Sequence, residues 1–131
     1  MSGERARDAL GRPLPRDADP DLIVPSVPAL VALSDVDAWA LAMAYLDRAL
    51  PFHAHEVFEL RWRQCPEGER MAWRALAQWG AALTHAARGN PVGAREVARR
   101  ALVNLDEAGM VPECVDVARV RASCLDLIDL Q

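Results

Sequence analysis

Four polar side chains that could take part in chemistry lie in two otherwise apolar stretches of the chain. His55 and Glu59 are one helical turn apart, and Gln78 and His85 follow in the next apolar stretch. Imidazole, carboxylate and amide groups can form a hydrogen-bond network, bind a metal ion or move a proton. These four residues are the candidate site, and the surrounding elements must bring them together.

The helical period places each pair on one face of a helix. The face with His55 and Glu59 also contains Phe52, Phe58 and Trp62. The face of the next helix is made of Met71, Arg74, Gln78, Ala82 and His85. The small side chains that should let the two helices approach closely are Ala75, Ala81 and Ala82. His53 falls on the opposite side of its helix from His55, so we expect it to be exposed.

Three uses of this cluster agree with the residue types. In the first, the side chains form a structural hydrogen-bond network, in which Glu59 orients a histidine and Gln78 completes the network. In the second, His55, Glu59 and His85 bind a divalent metal ion and leave one position open. In the third, His55 or His85 acts as a general base without a metal.

Neighbouring residues bear on these hypotheses. Only one His/Glu pair is present, whereas dimetal carboxylate bundles take ligands from four helices. Glu59 stands where an HExxH zinc motif has its second histidine. Three residues are expected to support the cluster. Glu56 would act through the charge of the first helical turn, Trp62 through packing and Arg74 through its cation.

Proline, glycine and capping residues divide the chain after residue 30 into five predicted helices. The predicted boundaries are an N-cap at Ser34, a second helix from Pro51 to about Gln64, a third from about Glu69 to Arg88, a fourth from Pro91 to about Glu107 and a fifth that opens at Pro112. The buried stripe of the fifth helix is expected to be Val115, Ala118, Ala122 and Leu125.

An internal repeat groups the first four helices into two hairpins. Seven residues recur 40 positions later, among them Pro51 as Pro91 and Trp39 as Trp79. We therefore predict an all-α fold: a compact bundle of five helices, built from two tandem helix hairpins and a C-terminal helix. Residues 31–131 should form this single helical domain. Residues 1–30 contain five of the nine prolines and should form an extended or disordered arm.

Composition argues against several partners and compartments. The net charge of −4 argues against nucleic acid. The arginines at positions 95, 99 and 100 have Glu96 among them and are expected to form a solvated helix face. No stretch approaches the ~20 apolar residues of a membrane span, which argues against a membrane partner. Three cysteines without a CxxC pair suit a reducing, cytoplasmic location.

An ordered series of motifs runs through both predicted hairpins. The motifs are Phe52-x-Ala54-His55-Glu56-x-x-Glu59-x-x-Trp62, Gly68-x-Arg70, Leu76-x-Gln78, His85, Arg88-Gly89-Asn90 and Gly93-Ala94. Over roughly residues 40–105 this series resembles the domain of unknown function 309 family of bacterial, archaeal and plant proteins. The resemblance implies a compact, all-helical, cytosolic protein, and it implies no activity. The characteristic polar residues that it implies are His55, Glu56, Glu59, Gln78 and His85.

Other segments refine this resemblance. The opening Arg7-Asp8-Ala9-Leu10-Gly11-Arg12-Pro13-Leu14-Pro15 is similar to the arm of actinobacterial members. Arg74-Ala75 stands where the family often has Gln-Gly, and Ala49-Leu50 where it often has Gly-Arg. The first departure places a cation near the candidate site, which disfavours a metal. Either Arg63 or Arg74 could hold Glu59 as an ion pair, and this departure favours Arg74.

Two classes of function remain open. One is a small-ligand or metal site, catalytic or not, centred on the four candidate residues. The other is an interaction module similar to tetratricopeptide units, which would use an exposed apolar helix face to bind a protein partner or a second copy. Such repeats normally need three or more copies to form a groove, and only two are found here. Substitution of His55 by alanine should abolish ligand binding in the first class and change only stability in the second.

Overall fold

The described part of the chain is almost entirely helical. The computed structural model describes residues 7–13, 28 and 31–131. Its α-helices are α1 (Asp35–Asp47), α2 (Pro51–Gln64), α3 (Arg70–Ala87), α4 (Pro91–Glu107) and α5 (Val117–Ile128), and a 3-10 helix (Glu67–Glu69) precedes α3. Consecutive α-helices pack on one another, and α5 also contacts α3. The predicted all-α bundle of five helices is confirmed.

Capping residues begin the helices where the sequence predicts. The Ser34 hydroxyl accepts a hydrogen bond from the Asp37 amide at 3.1 Å at the start of α1. The Asn90 side chain likewise accepts from the Gly93 amide at 3.1 Å, at the start of α4. Each cap satisfies one amide that has no partner within its own helix.

The fifth helix begins later than predicted, and its buried face differs. Asp116 caps it through the Arg119 amide at 3.0 Å, while the Val115 amide bonds the Pro112 carbonyl in a separate turn. The residues that α5 buries are Val120, Cys124 and Leu127. Of the predicted stripe, Val115 is buried in the preceding turn, but Ala118, Ala122 and Leu125 are exposed. Proline at 112 allowed an earlier start, but the aspartate cap decided both the start and the rotation of the helix.

The two hairpins repeat the same turn. α1 and α3 end 40 residues apart, as do the starts of α2 and α4. The Leu50 amide donates to the Tyr45 carbonyl at 2.9 Å, and the Asn90 amide donates to the His85 carbonyl at the same distance. This bond, from the residue two positions past the C-cap residue (Arg48 or Arg88), is typical of a Schellman turn. The internal repeat therefore corresponds to a repeated structure.

Aromatic side chains form the centre of the bundle. The repeat-related rings of Trp39 and Trp79 stack with centroids 6.4 Å apart, and Phe58 lies between them and Trp73. The buried indole nitrogen of Trp79 donates to Ser123 on α5 at 2.8 Å. The core therefore joins both hairpins to the C-terminal helix.

The prediction that His53 is exposed is wrong. Its side chain is 1% exposed, and its ring centroid lies 5.4 Å from that of Tyr45. α2 lies between α1 and α3, so the side of α2 opposite His55 is covered by α1. The helical period located His53 correctly, but it does not show that both sides of α2 are packed.

A short N-terminal segment contacts the bundle. In residues 7–13, an isolated antiparallel β-bridge pairs Arg7 with Pro13. The Arg88 side chain donates a hydrogen bond to the Leu10 carbonyl at 2.9 Å. Residues 1–6, 14–27, 29 and 30 of the predicted arm lie outside the described residues. Within the described residues, no helix has the length and apolar character needed to cross a bilayer.

Candidate functional site

A glycine in α3 brings the backbone of α2 unusually close at His55. A Cβ atom at Gly80 would lie 2.8 Å from the His55 Cα, nearer than real side chains approach. Close approach of the two helices was predicted at three alanines, whereas Gly80 is the residue that makes it. The signal was a glycine inside a helix, which often marks close packing.

This close approach sets the orientation of the His55 ring. Its Nδ1 lies 2.7 Å from the Ala77 carbonyl of α3. A carbonyl oxygen only accepts, so Nδ1 carries a hydrogen. The other nitrogen, Nε2, lies 3.3 Å from Glu59 Oε1 on the next turn of α2. His55 therefore has an acceptor at each ring nitrogen.

The two acceptors favour the doubly protonated ring. Burial acts to lower the pKa of His55, but the hydrogen bonds to Glu59 and to the Ala77 carbonyl outweigh burial. The negative charge of Glu56 adds to their effect. The pKa of His55 is consequently raised above its ordinary value. The predicted role of Glu56 as a supporting residue stays a prediction.

Glu59 is held as a carboxylate at the edge of the site. Its hydrogen bond with His55, assisted by the charge of Arg63, lowers its pKa despite partial burial. The Arg63 guanidinium lies 3.5 Å from Glu59 Oε2. Of the two arginines expected to pair with Glu59, Arg63, one turn further along α2, makes the ion pair, and the favoured Arg74 does not. An arginine on the same helix at this spacing reaches the carboxylate without crossing to another helix.

A pocket of about 310 Å³ opens beside the His55–Glu59 pair. Its walls are formed by His55, Glu59, Trp62, Arg74, Ala77, Gln78 and Ala81. The Arg70 guanidinium lies over the Trp62 ring, 4.6 Å from the ring centroid. Gln78 accepts a hydrogen bond from Asn104 of α4 at 2.7 Å. Gln78 is therefore held towards α4, and an open pocket between α2 and α3 occurs where the structural hypothesis expected a continuous network.

His85 borders a different space. Its Nδ1 lies 3.1 Å from the Asn90 side-chain nitrogen, at the turn that begins α4. A pocket of about 130 Å³ is lined by Phe52, His55, Ala81, Thr84, His85 and Arg88. Of the four candidates, His55, Glu59 and Gln78 surround the larger pocket, whereas His85 shares only the smaller one with His55.

This arrangement bears on the metal hypothesis. Two of the predicted ligands, His55 and Glu59, are neighbours, but the third lies at the Asn90 turn. Among the residues that the structure describes, no group of three or more histidine, cysteine, aspartate or glutamate side chains is arranged to hold a metal ion. The set His55, Glu59 and His85 stays a prediction.

Sequence reasoning missed a second polar cluster, at the other end of α2. Arg61 Nε donates to Asp35 Oδ1 at 2.7 Å, and the indole nitrogen of Trp73 lies 3.2 Å from the same oxygen. Trp73 also lies 3.3 Å from Glu69, whose pKa is raised by its hydrogen bond with Asp35. These contacts join the start of α1 to α2 and α3. They depend on tertiary packing, so no spacing in the sequence indicates them.

A family model matches the segment of the chain that contains this site. The family model Domain of unknown function (DUF309) matches residues 39–97, a segment that contains all four candidate residues. No curated protein and no solved structure matches the chain. The resemblance that the motifs indicated is confirmed over this segment. Residues 39–97 therefore match the model of the domain of unknown function 309 family.

Proposed function

We propose that this chain is a binding protein for a small organic ligand, and that the ligand occupies the pocket beside His55 and Glu59. The observation that carries the proposal is the orientation of Gln78. Its side chain bonds Asn104 rather than the His55–Glu59 pair, and about 310 Å³ of space separates the walls. That volume lies within the range of about 300–1,000 Å³ typical of ligand pockets.

The pocket offers complementary groups to a ligand. Glu59 contributes a carboxylate whose side chain is 40% exposed, and Trp62 contributes a partly buried aromatic wall. Because Gln78 uses its oxygen to accept from Asn104, its amide nitrogen is the end that can donate to a ligand. A small aromatic compound with a donor and an acceptor matches these walls.

The histidine has a positioning role in this proposal. Both of its nitrogens face protein acceptors, the Ala77 carbonyl and Glu59. Proton transfer to a substrate would require one of these contacts to break. Their presence instead fixes Glu59 in place before a ligand arrives, which lowers the entropic cost of binding. The geometry thus favours binding over general base catalysis by His55.

Neutral fragments test the proposal without the effects of charge. We would titrate the labelled chain with benzamide and 2-pyridone, then with a wider neutral fragment set. The readouts are the NMR signals of the Trp62 indole N–H and the Gln78 side-chain amide. We expect saturable shifts at both signals, and at least tenfold weaker binding in Glu59→Ala. Glu107→Ala removes an exposed carboxylate of α4 and should bind as the unaltered chain does. No saturable shift from any fragment, or equal loss in both variants, would contradict the proposal.

The His55→Ala variant separates this function from the other hypotheses. Ligand binding predicts weaker fragment binding by a folded variant, whereas a scaffold or a tetratricopeptide-like interaction module predicts a lower melting temperature alone. Elemental analysis of protein purified without a histidine tag addresses the metal. One equivalent of a transition metal that is lost in His55→Ala would favour the predicted metal site over a purely organic ligand.

A further inference from the structure

A second pocket adjoins the proposed ligand site between α3 and α4. Its volume is about 370 Å³, and its walls are Arg74, Gln78, Arg99, Arg100, Val103 and Asn104. Two of these residues, Arg74 and Gln78, also line the pocket beside Glu59. The two pockets therefore share a wall, and one ligand can extend from one into the other.

The second pocket concentrates positive charge in an acidic chain. Three guanidinium groups line it and no carboxylate does, although the net charge of the chain is −4. Among the described residues, Arg61, Arg63, Arg70 and Arg121 form ion pairs with carboxylates, whereas Arg74, Arg99 and Arg100 form none. Glu96 lies one turn before Arg99 and Arg100 on α4, but it is exposed and takes no part in the lining. Arg99 and Arg100 are themselves exposed, as the solvated face expected from sequence requires, and with Arg74 they line a pocket that is open to solvent.

The amide pair at the shared wall is also ordered. Asn104 donates to Gln78 at 2.7 Å, so these two side chains support each other across α3 and α4. Arginine binds phosphate and carboxylate groups through two parallel hydrogen bonds. Three cations without protein counter-charges suit a dianion better than a monoanion. A phosphate monoester carries between about 1.5 and 2 negative charges at neutral pH.

We propose that the pocket formed by Arg74, Arg99 and Arg100 binds the phosphate group of the ligand, whose organic part lies against Trp62. This inference rests on the proposed small-ligand function and assigns its ligand class: a small phosphorylated compound. Nucleic acid offers the same group, but the acidic chain provides one cluster of three arginines instead of an extended basic stripe.

Matched probes separate the contributions of phosphate and ring. We would measure the affinities of phenyl phosphate, benzoate, phenol and inorganic phosphate by calorimetry, at low and at high salt. Phenyl phosphate should bind at least tenfold more tightly than each of the others, and salt should weaken its binding. Arg99→Gln with Arg100→Gln should remove the tenfold gain while leaving benzamide binding unchanged. Arg119→Gln removes an exposed arginine of α5 and should leave all affinities unchanged.

Several results would overturn the inference. If benzamide binds but phenyl phosphate gains nothing over phenol, the anion site is wrong and the proposed function stands. If phenyl phosphate binds without shifting the Trp62 signal, the two pockets do not share one ligand. Tighter binding of a single-stranded oligonucleotide than of phenyl phosphate would identify a nucleic-acid site instead. Loss of benzamide binding in Glu59→Ala, measured separately, reports on the proposed function alone.

Discussion

His55 and Glu59 form a pair whose charge state depends on pH. The raised pKa of His55 means that its stabilising contribution is fully present below about pH 6.5, the ordinary histidine value, and is lost as the pH rises through the raised pKa. The lowered pKa of Glu59 sets the opposite limit. Its contribution is present above about pH 4.3 and is lost as the pH falls through the lowered pKa. The pair should therefore stabilise the fold most between these limits.

An NMR titration of the His55 ring measures this coupling. We expect its pKa to lie above that of an ordinary histidine, and Glu59→Gln to bring the pKa down because the carboxylate is removed. Glu107→Gln, at an exposed position on α4, should leave the titration unchanged. A His55 titration curve that is the same with and without the Glu59 carboxylate would contradict the assigned pair.

Gly80 is a second residue on which the site depends. Alanine is the better helix former by about 1 kcal/mol. However, its Cβ would lie 2.8 Å from the His55 Cα, and backbone must shift to admit it. We expect Gly80→Ala to lower the free energy of unfolding by about 1–3 kcal/mol, as overpacking does. Denaturant unfolding measures this loss. Gly68→Ala, where a Cβ meets open space, is the control; an equal effect in both would show that packing against α2 is not the cause.

The repeated turn between helices has different residues in its two copies. Ala49 and Gly89 occupy the same position, with φ of +58° and +79°. An L side chain in this left-handed region costs about 1–2 kcal/mol, whereas glycine adopts it freely. Since glycine is also more flexible in the unfolded chain, we expect Ala49→Gly to stabilise by a net amount of about 0.5–1 kcal/mol. Gly89→Ala should have the opposite sign. Urea denaturation of both variants tests this, and destabilisation by Ala49→Gly would contradict the argument.

At the scale of elements, features that depend on local sequence were predicted correctly, whereas features that depend on tertiary contacts were not. Proline and glycine at the turns, together with the 40-residue repeat, predicted four helices and their pairing, because these residues act through their own backbone. The predicted buried face of α5 was wrong because Asp116, and not Pro112, begins the helix. The burial of His53 depends on the position of α1, and the helical periodicity of α2 carries no information about that position.

The same division holds for the site. Helical periodicity predicted that His55 and Glu59 on one helix face Gln78 on the next, and all three residues line one pocket. It gave no means of finding the Asn104 partner that holds Gln78, since that bond joins two helices across 26 positions of the sequence. Periodicity also grouped His85 with these residues, although the His85 ring contacts Asn90 at the turn before α4. Residues on one face of a helix can line different pockets, and the packing of the neighbouring helices decides which pocket each residue lines.

On the scale of the whole molecule, the described N-terminal segment packs against the start of α2. The guanidinium groups of Arg7 and Arg88 lie 4.8 and 5.7 Å from the centroid of the Phe52 ring. Gly11 is buried against this ring with φ of +76°, and a Cβ atom there would lie 2.0 Å from the Phe52 Cγ. Phe52 also lines the small pocket that includes His55 and His85. The segment is therefore packed beside the candidate site.

Gly11→Ala should release this segment while the bundle stays folded. The new methyl group clashes with Phe52 and disfavours the left-handed backbone, but Gly11 contributes no side chain to the helical core. The amides of residues 11 and 12 both donate to Asp8, so their hydrogen exchange reports on the docked state. We expect their exchange to accelerate roughly tenfold or more, as for local opening, with little change in the melting temperature. Gly109→Ala, where a Cβ meets open space, should leave exchange at both amides unchanged. If Gly11→Ala also leaves the exchange unchanged, the packing of Gly11 on Phe52 does not hold the segment in place.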